Sequence, residues 1–452
     1  MQSIAIIGAG PKAAAIAAKA SSLSTFNTNV PSITIYERHQ PAAAWVGKTG
    51  YTDGLQPLCT FAERDLGFPY SRLSFGQDVA DDMFSRFSWQ SFAVRDGLDR
   101  AQYDQWVLRG RNPPAHRDFA KYLNSAFALS GANMISREVT GLDFDPSAGQ
   151  WSVSAFDVGL NRTVNLLYDG VVVTGSGPAL AALPNGSGNP RIFDGISFWQ
   201  RLQDVVGILD AENPDDRSVV IIGAGGTAAA IAYWFVRQKL DIPITILGRE
   251  STLFARHPGF FEDRLFSEED EWADLADHSR DEFVARLTTG VVWDYVLKNL
   301  DSAQIKYSCS DVHRVSVLGG RHTGLYPEVV VDVQQPTPRG VASTGPVTQL
   351  AAAVFIDARG FDRWSFVDLL APHLQGHFSP RNRKAVEAAI DDSLMVAGSF
   401  PTGLHLPMAA SRQGPAASNL MALGWVSDRI LRRYVPAVVA FPSTSSADPS
   451  RP

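Results

Sequence analysis

The chain of 452 residues has only two cysteines, Cys59 and Cys309, far apart in the sequence. Two such thiols build neither a disulfide framework nor a metal-binding spacing, and they point to a reducing compartment, the cytoplasm. No Cys-x-x-Cys occurs, which excludes dithiol reductase chemistry. The nine histidines form no cluster. His116, His257 and His405 stand alone and read as satisfied loop residues rather than metal ligands. A Gly-x-Ser-x-Gly nucleophile elbow is also missing. Positive charge is in deficit, with a net charge of −7, which argues against nucleic acid or an anionic membrane surface as partner. The first apolar run has no basic leader and is cut by Gly8-Ala9-Gly10, so it is not expected to be a signal peptide. The nearest thing to a membrane span, 219–236, is interrupted by glycines and divides into a strand and a helix. With 45% hydrophobic and 19% charged residues, the composition is that of a globular protein of two or three domains.

What is present is one device used twice. SIAIIGAGPKAAAIAAKA at 3–20 and SVVIIGAGGTAAAIAYWF at 218–235 each run from an apolar strand through spaced glycines into an alanine-rich helix. In such a turn the first glycine permits the bend, and the second lets a pyrophosphate approach the backbone. A small third residue lets the helix pack on the strand. These positions are Gly8, Gly10 and Ala13, then Gly223, Gly225 and Ala228. The helix N-terminus supplies free N–H groups and a positive dipole end for the pyrophosphate. A second strand, SITIY at 32–36, ends at Glu37, whose carboxylate suits ribose hydroxyls such as those of the adenosine half of FAD. Arg249 ends the equivalent strand, 244–247, and suits the 2′-phosphate of NADPH. Pro11, Trp45 and Thr227 complete the expected cofactor contacts.

The expected class is α/β, with two Rossmann-like dinucleotide-binding domains, the first discontinuous, and a smaller region contributing to the substrate site. Buried strands ending in glycine, VVVTG at 171–175 and FIDARG at 355–360, mark where the chain leaves the first domain and returns to it. The FAD domain is therefore expected over 1–175 and 355–440, and the NADPH domain over 190–354. The Ser/Pro-rich tail, 441–452, is expected to be disordered. Residues 40–115 read as irregular, 116–129 and most of 258–310 as helical, and 133–175 and 312–356 as strands.

Longer stretches carry a resemblance. YTDG at 51–54, ERDLGFPY at 63–70, FSWQSF at 87–92 and RGRNPPAHRDFAKYL at 109–123 belong to it. So do LFARHPGFFEDRLFS at 253–267 and NLMALGWVSDRIL at 419–431. With these the chain resembles the flavin-dependent N-hydroxylating monooxygenases that oxidise side-chain amines of lysine or ornithine for siderophores. It looks most like the mycobactin-type lysine N-hydroxylases. The resemblance implies that NADPH reduces FAD, that O2 adds to give a flavin hydroperoxide, and that a neutral primary amine attacks its distal oxygen. The amine must lose its proton before it has a lone pair to offer, and the site must exclude water. A homo-oligomer, tetramer or dimer, is common in the family.

The resemblance also implies a substrate site, and this chain departs from it. The lysine that grips the substrate carboxylate is Arg64 here, the asparagine that helps it is Asp263, and a substrate-contacting serine is Met421. An arginine can hold a carboxylate bidentately. An aspartate holds an ammonium instead. The substrate is thus lysine gripped differently, or another amine such as ornithine or a diamine. Two other readings stand beside this one. A flavin monooxygenase acting on sulfur, tertiary amines or ketones resembles Phe-x-Gly-x-x-x-His between its nucleotide units, but Phe193, Gly195 and Trp199 end that phrase in tryptophan. A non-catalytic flavin-fold protein would not need the second glycine turn.

Overall fold

The computed structural model describes residues 2–435 apart from 28, 98, 111–112, 158, 181–182, 184–187, 257–258, 289–290, 301–303, 324–325 and 337–344. The expected tail at 441–452 and His257 lie outside the described residues. Strand Ser3–Ile7 forms the middle of a parallel five-stranded sheet. Ser32–Tyr36 and then Asn133–Ile135 lie on one side of it, Gly170–Val173 and then Leu404–His405 on the other. Its Ile4, Ala5 and Ile6 are fully buried, as a parallel strand covered on both faces must be. The helix Pro11–Phe26 that follows is alanine-rich on every side, so it has no polar face. It is packed between helices His116–Ser130 and Leu423–Leu431. Even its Lys19 is buried, held by Asp428 at 2.7 Å.

The second sheet repeats the first. Val219–Ile222 is central, with Ile244–Gly248 and Ile305–Cys309 on one side, Val354–Asp357 and Ile192–Asp194 on the other, all parallel. In each unit a three-stranded antiparallel sheet is inserted before the fourth strand. In the first it is Glu138–Asp145, Gln150–Asp157 and Arg162–Tyr168. In the second it is Asp311–Thr323, Tyr326–Gln334 and Thr348–Ala351. The duplication therefore extends well past the glycine turns. Val354–Asp357 is the counterpart of Gly170–Val173 and belongs to the second sheet, so the expected return of the chain at 355 moves to the turn after Asp357.

One expectation from local pattern needs correction. Residues 40–115 are not irregular throughout: Gln77–Phe87, Trp89–Phe92 and Arg100–Arg109 are helices. In the first of these, Val79, Met83 and Phe87 recur every fourth residue and form the buried stripe. Most of 258–310 is helical as expected, with helices Phe260–Ser267, Glu269–Ala273, Asp277–Thr288 and Asp294–Lys298, and beside them the short strands Phe254–Arg256 and Val291–Trp293 pair in parallel. Phe266 from its helix Phe260–Ser267 is buried in the core of the first unit, with Phe283 and Trp293 packed against that core. Part of the second unit thus lies on the first. Among the described residues no helix is long and apolar enough to cross a membrane, and no group of His, Cys, Asp or Glu could hold a metal.

Candidate active site

Gly8 takes φ +94° and Gly223 φ +117°, a backbone region that side chains rarely adopt. A Cβ on Gly223 would lie 2.6 Å from the Ala358 carbonyl oxygen. Gly10 and Gly225 are the N-caps of the helices Pro11–Phe26 and Gly226–Arg237, and no side chain caps either helix. Space around both is open, with nothing within 4 Å of an added Cβ. Where Ser, Thr, Asp or Asn would ordinarily satisfy the first-turn N–H groups, these helices leave them for an anion. Ala13 and Ala228 are buried against their strands. Both turns therefore fit the pyrophosphate of a dinucleotide.

Glu37 stands where a ribose would be read, but it also braces the turn. Its Oε2 accepts the Ala9 N–H at 2.9 Å and its Oε1 the His39 N–H at 2.9 Å. Each carboxylate oxygen has a second lone pair, so a hydroxyl can still donate. Arg249 follows strand Ile244–Gly248, is half exposed, and faces Asp311 at 3.3 Å. Thr227 lies in the first turn of the second helix and approaches Gly195. The Phe193-Asp194-Gly195 phrase is a helix start: Asp194 accepts the Ile196 and Ser197 N–H groups, and Trp199 packs on Phe198. Trp45 stands edge-on to His116, ring centres 4.6 Å apart. Burial pushes the His116 imidazole down to about 4, and its Nδ1 has no partner among the described residues. The buried Gln56 Nε2 and Thr60 Oγ1, in the adjoining loop, have none either. His405 is not a loop residue. It is wholly buried in strand Leu404–His405, bonded to the Ser393 carbonyl at 2.8 Å and to the Tyr434 hydroxyl at 2.7 Å.

The structure brings Arg64, Asp263 and Met421 together. The buried Arg64 guanidinium donates from Nη1 to the Met421 carbonyl at 3.0 Å and meets Asp263 Oδ1 from Nη2 at 2.7 Å. It also lies over the Phe68 ring, 5.0 Å from the centroid. Met421 joins through its backbone; its side chain is core. Lys12, just after the first glycine turn, completes the chain of contacts. Its Nζ donates to the Asn419 carbonyl at 3.2 Å, and Asn419 Oδ1 accepts the Met421 N–H at 2.8 Å. Burial pushes the Lys12 ammonium down to about 8. Lys12 and Asn419 were not singled out from the sequence. The available signal was a lysine inside an otherwise apolar helix start.

Two nucleotide cradles, one braced by an acid and one followed by an arginine, with a charged cluster beside the first, define a protein built to hold two dinucleotides. No family model matches the chain. It is 32% identical over 448 residues to the L-lysine N6-monooxygenase MbtG of Mycolicibacterium paratuberculosis, covering 95% of each chain. To MbtG of Mycobacterium tuberculosis it is 32% identical over 437 residues, covering 95% of this chain and 94% of that one. The lysine monooxygenase NbtG of Nocardia farcinica, solved with an unprecedented NADPH-domain conformation, superimposes with TM-score 0.75 at 28% identity, over 96% of this chain and 100% of that one. The ornithine N-hydroxylase KtzI of Kutzneria, solved with reduced FAD, NADP+ and L-ornithine, shares the fold at TM-score 0.68 and 16% identity, over 96% and 99%. The chain belongs to the family of flavin-dependent L-lysine N6-monooxygenases. It is a monooxygenase that uses FAD and NADPH.

Proposed function

We propose that the protein N-hydroxylates a primary alkyl amine, with the side-chain amine of L-lysine as reference substrate, in siderophore or related biosynthesis. The balance is RNH2 + O2 + NADPH + H+ giving RNHOH + H2O + NADP+. FAD, when bound, supplies the activation of oxygen, and NADPH supplies the hydride. Gly8, Gly10, Pro11, Ala13, Glu37 and Trp45 would hold the first nucleotide, and Gly223, Gly225, Thr227, Ala228 and Arg249 the second. The observation that carries the reading is the convergence of Arg64, Asp263 and the Met421 carbonyl on one cluster, tied through Asn419 to Lys12 in the first cradle. That cluster anchors the far end of the substrate, leaving the reacting amine toward the first cradle. Phe266, Phe283 and Trp293 pack on the first unit beside the site, an apolar boundary of the kind that excluding water requires. We place the enzyme in the cytoplasm, a reading that its two free thiols support, and infer a homo-oligomer from the habit of the resembling enzymes.

The test is product mass after incubating flavin-loaded protein with NADPH, O2 and lysine. A gain of one oxygen on lysine, as a hydroxylamine, supports the reading. NADPH consumption with peroxide release and no oxidised product from any primary amine overturns it.

A further inference from the structure

Arg64 and Asp263 differ in what they present. The guanidinium is inside: its side chain is 9% exposed, it is paired to Asp263, and it is bonded to the Met421 carbonyl. The carboxylate is outside. The Asp263 side chain is 33% exposed, and because its Oδ1 is buried, on the side that meets Arg64, the exposure belongs to the rest of the side chain. Arg256 faces Glu262 at 3.4 Å, both less exposed than Asp263, and it also lies within electrostatic reach of Asp263 and Arg286. A molecule arriving at this cluster therefore meets a carboxylate backed by a neutralised arginine. A substrate carboxylate placed there would face like charge, which is disfavoured, whereas an ammonium would be paired.

We infer that Asp263 recognises the second, non-reacting ammonium of the substrate, so that the handle is an ammonium rather than a carboxylate and α,ω-diamines are substrates alongside lysine. The inference rests on the amine N-hydroxylase reading above. Lysine meets it through its α-ammonium, and cadaverine, which is lysine without the carboxylate, meets it equally. 6-Aminohexanoate has the same reacting amine and the carboxylate but no second ammonium, so it lacks the handle.

The test compares kcat/KM for hydroxylamine formation on these three amines with the flavin-loaded full chain. The expected result is lysine and cadaverine within about tenfold of each other and 6-aminohexanoate at least ~10-fold below cadaverine, about the discrimination that one ammonium–carboxylate pair supplies. In D263N the ratio of cadaverine to 6-aminohexanoate should fall at least ~10-fold. 6-Aminohexanoate equal to or better than cadaverine in the wild type would overturn the inference and leave N-hydroxylation standing. So would inert cadaverine beside active lysine, or an unmoved ratio in a folded D263N. No hydroxylamine from any of the three would overturn both readings together.

Discussion

Gly223 and Gly225 differ by two positions and should fail in different ways. Alanine at 223 would need φ +117° and would put a Cβ 2.6 Å from a backbone oxygen. G223A should lower stability by about 1–3 kcal/mol, read as a drop in Tm. Alanine at 225 meets nothing within 4 Å and an ordinary extended backbone, so G225A should leave Tm in place and raise KM for NADPH by crowding the pyrophosphate. Equal Tm losses in both would show that the turn does not hold its nucleotide in this way. His405 adds a pH dependence. Its folded value of about 4 lies below the ordinary 6.5, from burial, so the unfolded chain binds the extra proton between these values. Its contribution is complete above pH 6.5 and is lost as pH falls toward 4, about 3 kcal/mol in all. Asp65, pushed up to about 6 by burial, has the opposite slope over an overlapping window. His116, also pushed down to about 4 by burial, has the same slope as His405, so the slope of Tm against pH between 4 and 6.5 should be less positive in H405Q than in the wild type. At this scale the sequence exposed identities but not partners. Arg64, Asp263 and Met421 could each be singled out, yet Arg64 and Met421 are 357 residues apart, and no local pattern encodes that pairing.

At the scale of elements, the first nucleotide helix is tied at its start and at its middle to residues 419–428 near the end of the described chain. Lys12 donates to Asn419 at 3.2 Å, and Lys19 pairs with Asp428 at 2.7 Å inside the core. A buried pair adds little over an apolar replacement, but removing one partner strands the other charge. D428N should therefore destabilise the protein by about 3–5 kcal/mol, and the double variant K19M/D428L should regain most of that, both read by denaturant unfolding. Equal loss in the single and double variants would mean that the helices need the ion pair itself. The strands and glycine turns that start each unit were legible because period, burial and turn chemistry agree there. The helix Gln77–Phe87 was missed although its stripe was present, because the prolines, glycines and aromatics around it dominate the local composition. Its stripe packs on Pro11–Phe26, a contact that only the assembled sheet creates.

For the whole molecule, duplication explains the fold, and contacts between the copies bear on the chemistry. Two cofactors must meet for hydride transfer, so the orientation of the second unit on the first matters as much as either cradle. Asp53, in a loop of the first unit, is ion-paired with Arg237 at the end of the second nucleotide helix. Tyr295 donates to the Leu58 carbonyl, and Trp272 Nε1 donates to the Arg412 carbonyl at 3.1 Å. Glu269 holds Arg429 at 2.8 Å and Arg432 at 3.1 Å. Most of these links come from 254–298, the segment of the second unit that lies on the first, while Asp53–Arg237 directly joins the end of the second cradle's helix to the first unit. Misplacement of reacting groups by about 1 Å can lower a rate by ~100-fold. D53N removes the charge from this link without touching either glycine turn. It should slow anaerobic reduction of bound flavin by NADPH by about 10-fold or more, read as bleaching of the flavin absorbance in stopped flow. Reduction by dithionite, which needs no second unit, should be as fast as in the wild type. An unchanged rate with NADPH would mean that the 254–298 segment alone sets the approach, and E269A would then be the variant that slows it.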